Sequence, residues 1–508
     1  MQIGATYSTA DYEYYEKTGD QNHFEEVIDR MILDGVEGMN ESFRNAIMSL
    51  GTERKRMTIL SLLDKDLNLF KSIKALTNKD INKMDHIKDI VLMLRDYVKV
   101  GEVEKKKFGE VMTPLELVKE MLNTLPEEVW SNPELKWLDP ANGTGTFPSI
   151  VIFKLMKGLE EWEPDTEKRY KHIVENMIYV CELQPKNMYL FLCAIDPFDE
   201  YDLNIYTGSF LDEGFDYHAY KVWGIDGFDI VVGNPPYQDS SKKQGKNSSF
   251  WTKFIIKSHI INKTNGYICF ITPLSWIAPS ETQKNELKRI FFNNELLHLN
   301  VDCEKYFDVG STFSYYLIKK KLNKNNKTVI NNDFEYNISD LLFLPKIINK
   351  LTLSIINKVF FSPSDKLKFS SGERVSEFDK DGEYKVHYAN KYKMSNVKGK
   401  NRHKKKIVVS KPGYLNPRYD NGEYNTSDNN YWVAVNDEYE GNNLLSFFNT
   451  KLSKLIFNDI CKYSGYNSLG ILKNLPKSLL NNIWSDKELY EYFNLTQDEI
   501  DLIEKTIK

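Results

Sequence analysis

The sequence predicts an α/β protein, doubly wound about a mostly parallel sheet, with a helical region ahead of the sheet and a mixed α+β region behind it. Three observations carry this. Residues 101–320 alternate short apolar runs with helical stretches, as strands joined by helical crossovers require. Residues 21–100 hold apolar positions at helical spacing: Phe24, Val27, Ile28 and Met31 share one face, as do Ile87, Ile90, Val91 and Leu94. Residues 331–508 mix short strand and helix patterns with loops rich in Asn, Lys and Tyr. A chain of 508 residues has room for two or three domains, and the polar, basic stretch at 321–330 marks a boundary. The expected organisation is a helical region at 1–104, an α/β domain at 105–325 and a mixed α+β domain at 326–508.

Composition narrows the classes. Apolar residues make up 41% and aromatics 13%, ample for a sizeable core. Met1-Gln2-Ile3-Gly4 lacks the basic and apolar regions of a secretory signal. The most apolar segment, 266–279, is short and broken by Pro273, so no membrane span is expected. Cysteines stand singly at 181, 193, 269, 303 and 461, without a CxxC pair or Cys/His cluster, which predicts a reduced, cytoplasmic chain without structural zinc. The net charge of −5 does not mark a nucleic-acid binder, but its distribution does. From 391 to 418 there are ten Lys or Arg and no Asp or Glu, with tyrosines between them.

Three strand ends carry the chemistry. Residues 229–237 read Asp-Ile-Val-Val-Gly-Asn-Pro-Pro-Tyr: a buried strand, ended by Gly233, then a rigid corner. The prolines fix φ and remove two donors. The amide oxygen of Asn234 and the carbonyl of Pro235 can each accept one N–H, Pro236 stiffens the turn, and Tyr237 can stack on a ring. Such a corner suits a planar group bearing NH2, although Asn-Pro is also a common plain turn. The second end is Trp137-Leu138-Asp139-Pro140-Ala141-Asn142-Gly143-Thr144-Gly145, a strand running into a Gly-rich turn. It lacks the Gly-Lys-Ser/Thr of a triphosphate loop and the third glycine of a dinucleotide fingerprint. Asp139 suits the ammonium end of an amino-acid-bearing cofactor, while a Gly turn before a helix is routine in α/β sheets. The third is Glu182, after the apolar run 178–180, placed as a strand-two acid that accepts ribose hydroxyls. Taken alone it reads as a surface carboxylate.

In this order the elements resemble the gamma-class S-adenosylmethionine-dependent DNA adenine-N6 methyltransferases. The resemblance is firm over about 105–320 and looser beyond. It implies a seven-stranded methyltransferase sheet and a C-terminal target-recognition domain. Phe108-Gly109-Glu110-Val111-Met112-Thr113-Pro114 is similar to the segment that closes over the methionine end of the cofactor. The resemblance assigns cofactor binding to Thr113, Asp139, Ala141, Gly143, Gly145, Glu182, Leu183, Ser209 and Phe210, and the target amine to Asn234, Pro235, Pro236 and Tyr237. Tyr306-Phe307 and 314–320 are similar to the last hairpin, so a flipped base would stack between Tyr237 and Phe307, though Phe307 reads equally as a core aromatic. One position departs: Ser209 stands where the family has an acid for the cofactor's adenine amine, with Asp212 the alternative. Transfer is expected to be direct and metal-free. Cys181 and Cys193 lie in apolar stretches, which argues against a covalent cytosine route.

The expected partner is double-stranded DNA. Lys398, Lys400, Arg402, Lys404, Lys405, Lys406, Lys411 and Arg418 are candidate phosphate contacts, and so are Lys242, Lys243 and Lys246 beside the corner. Rivals are a methyltransferase acting on a protein glutamine or an RNA adenine, and a non-catalytic DNA-binding relative. The intact corner opposes the last. The N-terminal part shows no convincing Pro-Asp followed by Asp/Glu-x-Lys, so a fused nuclease is not expected and a separate restriction endonuclease is left open.

Overall fold

The structure, a computed structural model, describes residues 113–507 apart from short stretches at 197–199, 238–249, 280–283, 307–312, 323–325, 340, 342, 362–363 and 376. The helical region expected at 1–104 therefore lies outside the described residues, as do Lys242, Lys243, Lys246 and Phe307. The chain divides into two compact units: one of Met1–Thr272 and Leu296–Leu322, the other of Pro273–Glu295 and Asn323–Lys508.

In the first unit, seven strands run in the order β3-β2-β1-β4-β5-β7-β6. They are β1 Trp137–Asp139, β2 Ile178–Glu182, β3 Asn204–Thr207, β4 Phe228–Gly233, β5 Asn262–Pro273, β6 Asn294–Asn300 and β7 Phe313–Leu322. Strands β1 to β5 pair in parallel. Parallel strands are covered on both faces, and β1 and β2 are buried at every position, including the Asp139 and Glu182 that end them. Helix α1 (Leu115–Leu122) starts after Pro114 and buries Leu117, Val118, Met121 and Leu122. Helix α2 (Thr146–Gly158) follows the Gly turn, and α3 (Pro185–Ile195) begins with a proline in its first turn. The core joins the inward faces of α1 and α2 to β1, β2 and β4, including Leu117, Leu155, Val180 and Ile230.

The neighbours of β1 are β2 on one side and β4 on the other, so the strand order reverses there. Such a switch point opens a crevice at the carboxyl ends of the strands, which is where α/β sheets bind ligands. The sequence places Asp139, Glu182 and Asn234 at or just past those ends.

The second unit is mixed α+β. Its strands are the hairpin β8 (Thr328–Ile330) and β9 (Phe334–Tyr336), then β10 Ser370–Ser371, β11 Tyr384–Tyr388, β12 Lys391–Ser395, β13 Lys405–Ser410, β14 Arg418–Asn421, β15 Asn425–Thr426 and β16 Asn430–Ala434. Strands β10 to β16 form a four-stranded sheet, β10-β16-β13-β14, and a three-stranded one, β12-β11-β15. Helices such as Glu438–Asn449 pack with Ile407, Val409 and Val433 in its core. Among the described residues, no helix is long and apolar enough to cross a membrane.

Candidate active site

The Asn-Pro-Pro-Tyr corner leaves β4 at Gly233, whose φ is +152°. A Cβ there would stand 2.7 Å from Oδ1 of Asp139. Only glycine lets the end of β4 lie this close to the carboxylate at the end of β1. The spacing brings the second sequence motif against the first.

The Asn234 carboxamide is held on both sides. Its Nδ2 donates to Thr113 Oγ1 at 2.9 Å, and its Oδ1 accepts from the Tyr237 hydroxyl at 2.7 Å. Pro235 is buried, while Asn234, Pro236 and Tyr237 are half-buried. The Tyr237 ring lies 5.1 Å from that of Phe313 at the start of β7, with 34° between planes. Burial pushes its phenol far above the usual value, so the hydroxyl stays protonated as a donor. Phe313 has no part in the sequence reading. Its only signal was the aromatic cluster Phe313-Ser314-Tyr315-Tyr316, which also fits a plain core strand.

Asp139 is buried. One oxygen accepts from the Ala141 amide at 3.0 Å, and the other has no hydrogen-bond partner. Burial, with the nearby Glu182 carboxylate, raises its carboxyl to about 8, against the opposing bond from Ala141. An orphaned buried carboxylate oxygen costs free energy unless a donor meets it. That is an observation the ammonium of an amino-acid-bearing cofactor fits. The turn beyond is shaped for close approach. Gly143 has φ +56° with open space where a Cβ would point. Gly145, at φ +93°, begins α2 where a Cβ would collide with Phe191.

Glu182 ties this turn to β2. Its Oε2 accepts from the Gly143 amide and its Oε1 from the Gln184 amide, each at 2.8 Å. The strand-two acid is therefore fixed in the crevice rather than solvated. Leu183 beside it is 59% exposed, an apolar side chain at a strand end. Ser209 is half-buried, and its hydroxyl accepts from the Leu211 amide at 3.2 Å. Asp212 is exposed, just ahead of the helix Glu213–Lys221. Phe210 is 1% exposed, between Phe215 and Phe254 at ring distances of 4.9 and 5.5 Å. Its side chain thus belongs to the flanking core.

Glu120 on α1 was not anticipated. It accepts from the hydroxyls of Tyr306 and, at 2.7 Å, Tyr315. One carboxylate thereby joins α1 to β7 and to the turn after β6. A single acid between Lys119 and Met121 gives no sequence sign of this.

In the basic stretch of the second unit, Lys398, Lys400, Lys404 and Lys405 are exposed. Arg402, Lys411 and Arg418 are half-buried over the rings of Tyr384, Tyr431 and Tyr392. Lys406 corrects the expectation. It is fully buried, its ammonium 2.8 Å from Asp420 and bonded to the carbonyls of Asn401 and Tyr424. It cannot reach a phosphate. Burial raises Asp420, but His387 and Lys406 hold it down to about 2.

The switch-point crevice brings together a buried acid, a glycine turn and an Asn-Pro-Pro-Tyr corner, the arrangement that the resemblance to S-adenosylmethionine-dependent methyltransferases implies. Residues 160–309 match the family described as Eco57I restriction-modification methylase. The match spans Glu182 and the corner. A protein of Mycoplasma pneumoniae described as an uncharacterized adenine-specific methylase is 26% identical in an alignment 302 residues long that covers 44% of this chain and 70% of that protein. Two solved structures are similar at greater distance. A candidate class I S-adenosylmethionine-dependent methyltransferase of Listeria monocytogenes shares 15% identity over 61% of this chain and 93% of its own, with a TM-score of 0.37. The type IIL restriction-modification enzyme MmeI, in complex with DNA, shares 11% over 93% of this chain and 82% of its own, with a TM-score of 0.45.

Proposed function

We propose that the chain is a site-specific DNA adenine-N6 methyltransferase. The observation that carries this is the contact of two motifs across the switch point: the corner of Asn234 to Tyr237 begins where Gly233 lies against Asp139. Asp139, Gly143, Glu182 and Leu183 would hold S-adenosylmethionine, with Ala141, Gly145, Ser209 and the backbone at Phe210 shaping its site. The cofactor supplies an electrophilic methyl group. Asn234 Oδ1 and the Pro235 carbonyl accept the two N–H groups of the adenine amine. Those bonds turn its lone pair out of ring conjugation and toward the methyl carbon. Positioning of this kind accounts for a direct transfer without a covalent enzyme intermediate. The description of the Mycoplasma pneumoniae relative as adenine-specific agrees with this reading.

A base inside a duplex cannot reach a buried corner, so the target is flipped out and stacks on aromatics, Tyr237 among them and Phe307 as the expected second. Lys398, Lys400, Arg402, Lys404, Lys405, Lys411 and Arg418 supply phosphate contacts, with Lys242, Lys243 and Lys246 near the corner. Catalysis falls to residues 105–325 and target recognition to residues 326–508. Where the chain serves a restriction-modification pair, cleavage belongs to a separate endonuclease.

The test is incubation with methyl-labelled S-adenosylmethionine and duplex DNA, RNA or protein, followed by digestion. Label in N6-methyladenine from duplex DNA is expected. Label in glutamine or in RNA would overturn the substrate. Asn234→Ala should abolish transfer while cofactor affinity stays within about twofold, because Asn234 meets the base and not the sulfonium.

A further inference from the structure

We propose that Thr113 is a positioning residue that orients the Asn234 carboxamide, rather than a contact to the cofactor. The inference rests on the methyltransferase reading of the corner. A carboxamide has an accepting end and a donating end. The target amine brings N–H groups, so only the oxygen end serves it. When that oxygen faces the amine, the nitrogen faces away and needs an acceptor of its own. Thr113 Oγ1 supplies one at 2.9 Å from Nδ2. The Tyr237 hydroxyl meets the oxygen at 2.7 Å. That bond fixes the oxygen end as the accepting end of the amide, the end a target amine requires. Gripped at both ends, the amide plane is set before the base arrives.

The grip is stiff because of what stands behind it. Thr113 directly precedes Pro114, whose φ is fixed, and α1 begins at Leu115. That helix buries four residues that are 0% exposed: Leu117, Val118, Met121 and Leu122. Its Glu120 is clasped by the hydroxyls of Tyr306 and Tyr315. The Thr113 hydroxyl is thus mounted on a helix anchored to the core and to β7. A surface loop would give no such reference point.

Two substitutions separate this role from a cofactor contact. Thr113→Val keeps the shape and loses the acceptor; Thr113→Ser keeps the acceptor. Single-turnover methyl transfer, at saturating cofactor and DNA, should fall at least about tenfold in Thr113→Val and recover to within about threefold in Thr113→Ser. The dissociation constant for S-adenosylmethionine, by calorimetry without DNA, should stay within about twofold in both. Equal melting temperatures exclude a folding defect. The side-chain amide resonances of Asn234 read the bond without turnover: they should move in Thr113→Val and return in Thr113→Ser. Weakened cofactor binding with an unchanged rate would overturn the proposal and make Thr113 a cofactor contact. Unmoved Asn234 resonances would also overturn it. A wild-type chain that labels no DNA would instead sink the substrate reading, and the resonance comparison would still decide the role of Thr113.

Discussion

Asp139 has one carboxylate oxygen on the Ala141 amide and a second, buried one without a partner. Its carboxyl is raised from 3.8 to about 8, by burial first and Glu182 second. Between those values the folded chain holds a proton that the unfolded chain has lost. Stability from this group is therefore fully present below about 3.8 and is lost as pH rises through about 8. Compared with Asp139→Asn, the wild type should lose melting temperature progressively from mildly acidic pH to about 8.5. Parallel curves would show that Asp139 is ionised in the folded chain. A cofactor ammonium beside the second oxygen favours the charged form. Binding at neutral pH should then release close to one proton, read as a buffer-dependent binding heat. A heat independent of buffer ionisation would remove Asp139 from the cofactor's ammonium.

At the scale of elements, the corner works because β4 ends in a residue without a side chain. Gly233→Ala would put a methyl 2.7 Å from Asp139 Oδ1 at a φ of +152° that other residues rarely adopt. Loss of about 2 kcal/mol of stability is expected, with methyl transfer falling more than cofactor binding. Normal turnover would mean that the β1–β4 approach is not needed. This part of the site was legible in sequence because strand-end chemistry is local: a short apolar run, a glycine, then the reacting groups. What joins the pieces was not legible. Thr113 and Asn234 are 121 residues apart, and Glu120 and Tyr315 are 195 apart. Lys406 shows a further limit. Lysine seldom buries its charge, so a run of three reads as surface. A strand turns successive side chains to opposite faces, and Lys406 pairs in register with Asp420 on β14. The run hides one interior ion pair behind two exposed lysines, Lys404 and Lys405. Removing one partner of a buried pair leaves an uncompensated charge, typically costing about 3–5 kcal/mol. Lys406→Ala should thus lower the melting temperature sharply, whereas Lys404→Ala should not. A melting temperature unchanged in Lys406→Ala would mean the pair is dispensable to the fold.

Over the whole molecule, the charge that matters is its distribution. A chain of net charge −5 is repelled by DNA on average, so binding must come from local cation density. The stretch 391–418 has it, and with Lys406 turned inward its exposed members include Lys398, Lys400, Lys404 and Lys405. Each phosphate contact displaces counterions, and log affinity falls by about 0.9 per contact for each tenfold rise in salt. Reversing Lys404 and Lys405 together to Glu should weaken binding to every duplex alike and reduce the salt slope by about 2. The set of methylated sequences should stay the same, because phosphates carry no sequence information. Lys406 must be left intact in this variant, or loss of the fold would imitate loss of contact. Affinity measured on methylated and unrelated duplexes between about 50 and 200 mM salt gives the slope, and mapping N6-methyladenine in treated genomic DNA gives the sequence set. An unchanged slope would place the phosphate contacts elsewhere. A changed sequence set would make Lys404 and Lys405 readers of base edges.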